Sequence, residues 1–303
     1  MPGPRRAVLA PALVLAAVGA AVSGCAGTAA PEPARPQKAL TQARLTDLHQ
    51  KPPVTRLLFT PDTEGAEAQR KSAITCMAKH GYRYAPVAVQ KSDDADQLPQ
   101  PFGLEAPVSR RAGAAASPPV TEKPPAKGSP ESTAAYAKAL FGDESKRVTA
   151  KGVRMTVSRP GNGCLAEAET RLLGNGRMRW LQLRILLFEA QEQARKDVEK
   201  DAAFQTVTGR WRQCMKQAGF KAKDPVGLLG SLNTDEARHS SPALPADLRC
   251  KTETGYLTTA YTRLAAVQQR WLDRHPDVQS DWTSLSARQK KAAGEVLGTG
   301  KRD

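Results

Sequence analysis

The sequence predicts a mainly α-helical domain that is held by disulfide bonds, with a small β-hairpin and a long disordered internal loop. Three observations predict it. Apolar residues recur at helical spacing in the C-terminal half, four cysteines fall in two related motifs, and a Pro/Ala/Ser-rich stretch interrupts the chain near its middle.

Composition narrows the class of protein further. The 303 residues include 45 Lys and Arg against 30 Asp and Glu, a formal charge of +15, and only 5% are aromatic. This length suits one or two domains, and 23 prolines with 23 glycines indicate a large share of loop. A collagen-like chain, a long coiled coil and a multi-pass membrane protein are excluded.

The N-terminus has the pattern of a lipoprotein signal peptide. Arg5 and Arg6 precede an uncharged apolar stretch, residues 7–22, which is shorter than the roughly 20 residues that a spanning helix needs. Val22-Ser23-Gly24-Cys25 follows directly and resembles the bacterial lipobox, in which small residues precede the cysteine that receives diacylglycerol. The alternative is an ordinary secretory signal in which Cys25 is unmodified.

The lipobox resemblance implies an extracytoplasmic protein that is lipid-anchored to the outer face of the cell membrane. Residues 1–24 would be removed as the signal peptide, and Cys25 would become the acylated N-terminus of an Ala/Pro-rich tether at 25–38. Residues 39–303 then form the mostly helical domain. A basic chain in this place is attracted to anionic lipid and to anionic envelope polymers.

The first half of that domain alternates short elements with loop. Helices are predicted at 39–49, 64–80 and 132–141 from their content of helix-forming residues. Between the last two, residues 91–130 are polar and then Pro/Ala/Ser-rich, which predicts a disordered insertion. Residues 148–158 place β-type residues around Lys151-Gly152 and predict a hairpin.

From residue 163 the chain is predicted to be helical almost to its end. Apolar residues form a wide face in 178–200 and an amphipathic stripe in 255–271, and a last helix is predicted at 284–297. The tryptophans all fall in this half, which predicts that the hydrophobic centre lies there: Trp180, Trp211, Trp271 and Trp282.

A cysteine motif occurs twice. CMAKHGYR begins at Cys76 and CMKQAGFK at Cys214, and both read Cys-Met, three residues, Gly, aromatic, basic. Each is followed by a second cysteine with a glutamate three residues on. These are Cys164 with Glu167, and Cys250 with Glu253. The repetition indicates two related half-motifs.

Each first segment is typical of a helix C-terminus. If Gly81 and Gly219 adopt the left-handed conformation, the aromatic residue and the methionine occupy the two positions that touch in a Schellman cap. The contacts expected are Tyr82 with Met77 and Phe220 with Met215. Each cysteine then lies one turn inside the helix end, on the core side.

The second cysteines are predicted near helix N-termini. Asn162 or Gly163 would be the N-cap of a helix that begins at Cys164, and Asp247 would be the N-cap of a helix that contains Cys250. Glu167 and Glu253 would then lie in the first turns, where the helix dipole favours negative charge.

Symmetry between the halves favours the pairs Cys76–Cys164 and Cys214–Cys250, although four cysteines allow three connectivities and spacing does not decide between them. No metal site is predicted, because the cysteines are far apart and no CxxC occurs.

Catalytic and cofactor motifs are not found. The chain has no GxSxG, HExxH, phosphate loop or nucleotide fingerprint, and its four histidines are scattered: His49, His80, His239 and His275. Glu167 and Glu169 would point to different faces of a helix, and Asp93, Asp94 and Asp96 lack the glycine and distal glutamate of an EF-hand. We therefore expect no enzyme activity, no cofactor and no metal. Basic residues without interleaved aromatics, on an exported chain, argue against nucleic acid.

The Ala/Arg/Pro-rich composition, the lipobox and the repeated cysteine motif together resemble the uncharacterised secreted lipoproteins of actinobacteria. That resemblance implies a location and no activity. We expect a non-catalytic envelope lipoprotein that binds an anionic polymer or a membrane protein complex. The alternatives are a solute-binding lipoprotein of a transporter, which the helix-rich C-terminal half disfavours, and an envelope hydrolase, which would need a clustered polar site.

Overall fold

A computed structural model describes residues 47, 49–50, 52–89, 98–107 and 126–299. The signal peptide, Cys25, the tether and most of the predicted helix at 39–49 lie outside these residues. The described chain is mainly α-helical with one two-stranded hairpin, as predicted. Within it, every helix is either too short or too polar to cross a membrane.

The helices are numbered here in chain order. They are α1 Pro53–Phe59, α2 Thr63–Lys79, α3 Ala134–Phe141, α4 Cys164–Leu173, α5 Arg177–Glu199, α6 Ala202–Gln217, α7 Pro225–Ser231, α8 Asp235–Ser240, α9 Ala243–Thr254, α10 Tyr256–Asp273 and α11 Pro276–Leu297. Strands β1 Arg147–Lys151 and β2 Thr156–Pro160 lie between α3 and α4.

Local chemistry explains where the helices begin. The carboxylate of Asp62 accepts a hydrogen bond from Gly65 N at 2.8 Å and caps α2, and Asp201 accepts one from Ala203 N at 3.0 Å and caps α6. The predicted helices at 64–80, 132–141, 178–200 and 255–271 are confirmed within one or two residues. The predicted start of the last helix at Ser284 is wrong, because Pro276 provides a first-turn start for α11.

The predicted hairpin is confirmed. Strands β1 and β2 pair antiparallel, with Arg147 opposite Pro160 and Lys151 opposite Thr156. Ala150 packs with Leu181 and Ile185 of α5, so the hairpin lies on that helix.

The hydrophobic core has two main clusters. One joins α6, α9 and α10 around the fully buried Trp211 and Tyr261. The other joins α1, α4, α5 and α11, where Trp180 stacks on Trp282 with ring centroids 4.3 Å apart. All four tryptophans therefore contribute to these clusters, directly or at their margins, as expected.

Part of the predicted internal loop is packed. Residues 98–107 depart from the expected disorder, because Phe102 enters the first cluster and Glu105 is buried. Gly103 adopts a φ of +82°, and a Cβ at this position would lie 2.9 Å from the carbonyl oxygen of Pro225. Residues 91–97 and 108–125 of the predicted loop lie outside the described residues.

Candidate functional site

The two predicted disulfides are present. Cys76 bonds to Cys164 with a Cα–Cα distance of 5.5 Å, and Cys214 bonds to Cys250 with a distance of 5.7 Å. They close loops with sequence separations of 88 and 36 residues. The symmetric pairing is thereby confirmed, and each half-motif connects two helices.

Both helix ends adopt the predicted Schellman cap. The two glycines have φ values of +77° and +88°, and in each half the aromatic N–H donates to the methionine carbonyl that lies five residues earlier in the chain. These bonds are Tyr82 N to Met77 O at 3.0 Å and Phe220 N to Met215 O at 2.9 Å. The aromatic rings pack against the clusters that contain Met77 and Met215.

The second cysteines differ between the halves. Gly163 is the N-cap residue of α4, so Cys164 begins that helix as predicted. The prediction for Cys250 is wrong, because α9 begins at Ala243 and Cys250 lies in its second half. Proline is tolerated in a first turn, so Pro245 does not delay the start. Asp247 is consequently a buried mid-helix residue rather than a cap.

Each disulfide has a carboxylate beside it. Glu167 Oε2 lies 3.4 Å from Cys76 Sγ, and Glu253 Oε2 lies 3.3 Å from Cys214 Sγ. Disulfide sulfurs carry no proton to donate, so these are contacts between a carboxylate and a sulfur. Glu167 is in the first turn of α4, as expected, whereas Glu253 is in the last turn of α9, where the helix dipole does not favour it.

Two groups of ligand-type side chains include the disulfides. In each group the ligand atoms lie within 4.8 Å of one another. The first group consists of Cys76, His80 and Cys164, and the second consists of Cys214, Cys250 and Glu253. Metal coordination by cysteine needs the thiolate. In the oxidised protein the sulfurs are bonded to each other, so neither group offers a thiolate ligand set.

A polar cluster lies inside the helical core. Glu105 accepts a hydrogen bond from the hydroxyl of Tyr261 and contacts Nε2 of His49. Burial and the nearby Glu105 carboxylate raise the pKa of Tyr261, so its hydroxyl remains a donor. Nδ1 of His49 is buried without a partner among the described residues.

The cluster continues into α9. Lys251 Nζ donates to the carbonyl of Leu104 and to Asp247 Oδ2, and Trp211 Nε1 donates to Asp247 Oδ1 at 2.9 Å. Burial lowers the pKa of Lys251 and raises that of Asp247. These contacts attach residues 98–107 to the core.

A cleft of about 210 Å³ adjoins this cluster. Its walls come from α1, α5, α10 and the 98–107 segment: Thr55, Pro99, Gln100, Pro101, Gln191, Glu192, Arg195, Tyr261 and Leu264. Gln191 is only 8% exposed, and its Oε1 has no hydrogen-bond partner in the described structure. The cleft therefore presents one buried acceptor to a small ligand.

A basic groove lies at the end of α6. Its volume is about 400 Å³, and it is lined by Arg212, Lys216, Phe220, Lys221, Ala222 and Lys223. The four basic residues are exposed, and none has an ion-pair partner within the part of the chain that the structure describes. The cap at Gly219 creates this surface, because it turns the chain and places Lys221 and Lys223 beside Arg212 and Lys216.

The groove corrects one sequence-based observation. Basic residues were expected to lie without interleaved aromatics, yet Phe220 lies among four of them. The second cysteine motif contains the information needed to predict the groove. Gly219, Phe220 and Lys221 are followed by Lys223, so the cap places basic side chains around the Phe220 ring. Recognising it requires knowing that the glycine reverses the chain.

The remaining candidate residues have structural places. Among the histidines, His80 ends α2, His239 Nδ1 contacts Asp235 O, and His275 stacks on Trp271. Glu169 binds Arg159 and Arg177 at 2.7 Å each, away from the sulfur contact of Glu167. The three aspartates at 93, 94 and 96 lie outside the described residues.

No protein family, curated protein or solved structure matches the chain. The function is therefore inferred from the chemistry of the cleft beside Tyr261 and of the basic groove.

Proposed function

We propose that the protein is a lipid-anchored lipoprotein of the cell envelope whose disulfide-bonded helical domain binds an anionic polymer without catalysis. One observation carries this proposal. Four exposed basic side chains, without ion-pair partners among the described residues, surround Phe220 in the groove at the end of α6. Without Arg5 and Arg6 of the signal peptide, the mature chain still has 43 Lys and Arg against 30 Asp and Glu, and this excess adds long-range attraction to that local site.

The groove suits a chain of phosphate groups. Lysine and arginine stems pack along apolar surface while their charged ends reach outward, and the apolar Phe220 and Ala222 line the same groove as the four cations. Cations that are not neutralised internally remain available to an external anion. Because such exposed charges are screened beyond about 10 Å at 0.1 M salt, binding is expected to weaken steeply with added salt.

Support for the location is independent of the groove. Two disulfides are typical of oxidising, extracytoplasmic compartments. The apolar segment before Cys25 and the small residues at 23 and 24 fit lipoprotein processing. More than one acyl chain on Cys25 would provide stable anchoring, since a single chain binds membranes only marginally.

A polymer-binding measurement tests the groove. The full chain is titrated with poly(glycerol phosphate) at low and high salt, and the variant Lys221→Gln/Lys223→Gln is compared with Lys290→Gln/Lys291→Gln, an equal charge change on exposed lysines of α11. We expect the groove variant to lose about tenfold in affinity and the control variant to stay near the parent chain. Equal losses in both variants, or no binding by the parent, would refute the groove proposal.

Acyl labelling tests the anchor. The wild-type chain is expected to incorporate a labelled fatty acid in the producing cell and to remain with the membrane fraction. Cys25→Ser should remain unlabelled and either appear in the medium or accumulate as the precursor. Continued labelling of Cys25→Ser would contradict the assignment.

A solute-binding lipoprotein is the second candidate, and the cleft beside Tyr261 favours it. Gln191 Oε1 is buried there and has no partner among the described residues, so a ligand that donates an N–H or O–H group would satisfy it. Thermal unfolding in the presence of a panel of amino acids and monosaccharides tests this role. A ligand that raises the melting temperature of the parent, but not of Gln191→Leu, would support it; no shift across the panel would count against it.

A further inference from the structure

The turn of the hairpin exposes two apolar side chains, Val153 and Met155, together with two basic ones, Lys151 and Arg154. We call these four residues the tip surface. Val153 is 82% exposed and Met155 40%. Clusters of apolar side chains on a surface usually indicate an interaction site.

The backbone amides of this tip are hydrogen-bonded to one carboxylate, that of Glu189 on α5. Glu189 Oε2 accepts a hydrogen bond from Val153 N, and Glu189 Oε1 accepts bonds from Arg154 N and Met155 N, each at 2.6 Å. Gly152 N donates to Met155 O at 2.8 Å. Four successive amide N–H groups at the tip therefore have partners inside the protein.

The close approach of Glu189 depends on glycine at position 152. A Cβ there would lie 2.5 Å from Glu189 Oε2 and 2.6 Å from Ile185 Cγ2. Glu189 itself is buried. Burial favours the neutral acid, but the three backbone donors and the charge of Arg154 outweigh it and lower the pKa of Glu189.

The hydrogen bonds to the tip amides lower the free-energy cost of moving the tip from water into an apolar medium. A backbone N–H that leaves water without a partner costs several kcal/mol in an apolar medium. Most turn tips carry this cost, because water solvates their amides. At this tip Glu189 already accepts hydrogen bonds from the amides of residues 153–155. Moving Val153 and Met155 out of water therefore buries apolar surface and leaves none of these N–H groups without an acceptor.

The charges of the tip surface select the kind of partner. Lys151 and Arg154 are exposed and flank Val153, and neither has an ion pair among the described residues. An apolar point flanked by two cations is complementary to an anionic lipid surface, where headgroups meet cations and the acyl boundary accepts apolar side chains.

We propose that the tip surface inserts into the headgroup region of an anionic membrane, as a contact separate from the N-terminal lipid and from the basic groove. Its biological setting rests on the proposed envelope location, whereas the contact itself does not require acylation. Val153 and Met155 enter the interface, and Lys151 and Arg154 bind lipid phosphates.

Vesicle binding by the full chain carrying Cys25→Ser tests this contact without acyl groups. Binding is measured with vesicles of phosphatidylcholine alone and with vesicles that also contain phosphatidylglycerol. Every variant keeps the same N-terminal segment and the same basic groove, so differences between variants report the tip. We expect Val153→Ser/Met155→Ser to lower binding to anionic vesicles about tenfold. Val153 is 82% and Met155 40% exposed, so together they can bury about as much new apolar surface as one fully exposed side chain, which contributes roughly that factor.

The matched control replaces an exposed valine elsewhere. Val87 is 43% exposed, so Val87→Ser should leave binding unchanged. Lys151→Gln/Arg154→Gln should reduce the preference for phosphatidylglycerol, which the basic groove still supports in part, while the apolar variant keeps the full preference. Circular dichroism and melting temperature confirm that each variant is folded before binding is compared.

A depth measurement separates insertion from adsorption. Lipids brominated on the acyl chain should quench the tryptophan fluorescence of Val153→Trp more than that of the parent chain. The same lipids should not increase quenching in Val87→Trp. Equal binding by the tip and control variants, or absence of additional quenching, would overturn the proposal. It would also fail if Val153→Ser/Met155→Ser changed the sedimentation coefficient of the chain instead, because the tip would then be a protein interface.

The vesicle experiment can succeed or fail separately from the tests of the proposed function. If acyl labelling or polymer binding fails while tip insertion is observed, the envelope lipoprotein assignment is wrong and the membrane contact stands. If insertion fails while those assays succeed, only the tip proposal is lost.

Discussion

Lys251 Nζ lies 2.9 Å from Asp247 Oδ2, and both side chains are only 1% exposed. They are four residues apart on α9, and each has a second partner: the carbonyl of Leu104 for the lysine and the indole N–H of Trp211 for the aspartate. This buried pair therefore connects three separate parts of the chain. It fixes residues 98–107 in register against the helices.

Removing the lysine alone is expected to destabilise the fold strongly. Lys251→Met leaves Asp247 as a buried charge without its cation and frees the carbonyl of Leu104, and such a loss costs about 3–5 kcal/mol. The double variant Lys251→Met/Asp247→Leu should lose less than Lys251→Met alone, because no unpaired charge remains. Urea unfolding of the parent and the variants measures both differences. A double variant less stable than Lys251→Met would contradict the isolated-charge explanation.

Glu189 makes stability depend on acidity. Its pKa is lowered in the folded protein, so its contribution is complete above the pKa of the unfolded chain, about 4.3, and is lost as pH falls through the lower folded value. Glu189→Gln presents an amide N–H₂ group to backbone donors, and we expect a loss of about 2 kcal/mol at pH 7.

Urea unfolding at a series of pH values from 7 to below 4 checks the sign. The difference in free energy of unfolding between the parent and Glu189→Gln should shrink as the solution becomes acidic. Glu192→Gln, one turn further along α5, is the control, because Glu192 accepts no hydrogen bond from the hairpin backbone in the described structure. A difference that is constant across this range would show that Glu189 acts through packing and not through its charge.

Two glycine substitutions in open surroundings are expected to act in opposite directions. Gly219 has a φ of +88°, and a Cβ there would meet no atom of the described residues within 4 Å, so Gly219→Ala incurs only the conformational cost of about 1 kcal/mol. Gly209 lies inside α6 and is equally open, so Gly209→Ala should stabilise the fold by about 0.5–1 kcal/mol. Thermal unfolding of both variants compares them directly, and a shift of the same sign in both would contradict the cap at Gly219.

The caps were predictable from sequence because all their determinants are local. The methionine, the glycine and the aromatic residue fall within eight positions of each cysteine, and the backbone bonds at Tyr82 and Phe220 follow from that pattern. The repetition of the motif favours, among three possible connectivities, the disulfide pairing that the structure has. The mainly helical fold with its hairpin followed from apolar spacing and β-type residues.

Long-range contacts account for what sequence did not indicate. Phe102 and Glu105 lie in a polar, proline-rich stretch, and their burial depends on Tyr261 and Lys251 far along the chain. Asp247 is predicted from sequence as an N-cap, whereas α9 begins at Ala243 and includes Pro245 in its first turn, where proline is compatible with helix. The basic groove is local, and its cap at Gly219 is predicted, but the motif alone does not show that Lys221 and Lys223 lie beside Arg212 and Lys216.

The carboxylate beside Cys214 is expected to protect its disulfide from anionic thiols. Thiol–disulfide exchange begins with the approach of a thiolate to a sulfur, and Glu253 places a negative charge 3.3 Å from Cys214 Sγ. Cys214 is partly exposed, whereas both sulfurs of the other disulfide are on buried residues. Reduced glutathione should therefore open Cys214–Cys250 first, and Glu253→Gln should accelerate that reaction several-fold without changing Cys76–Cys164.

Alkylation followed by peptide mass mapping at timed intervals measures each disulfide separately. Cysteamine, whose thiolate form carries a compensating ammonium charge, provides the matched reagent, and the effect of Glu253→Gln should be much smaller with it than with glutathione. Asp235→Asn, an exposed acid on α8, controls for net charge. Equal acceleration with both reagents would mean that the substitution loosens the last turn of α9. Acceleration confined to the anionic thiol would show that the carboxylate acts through its charge.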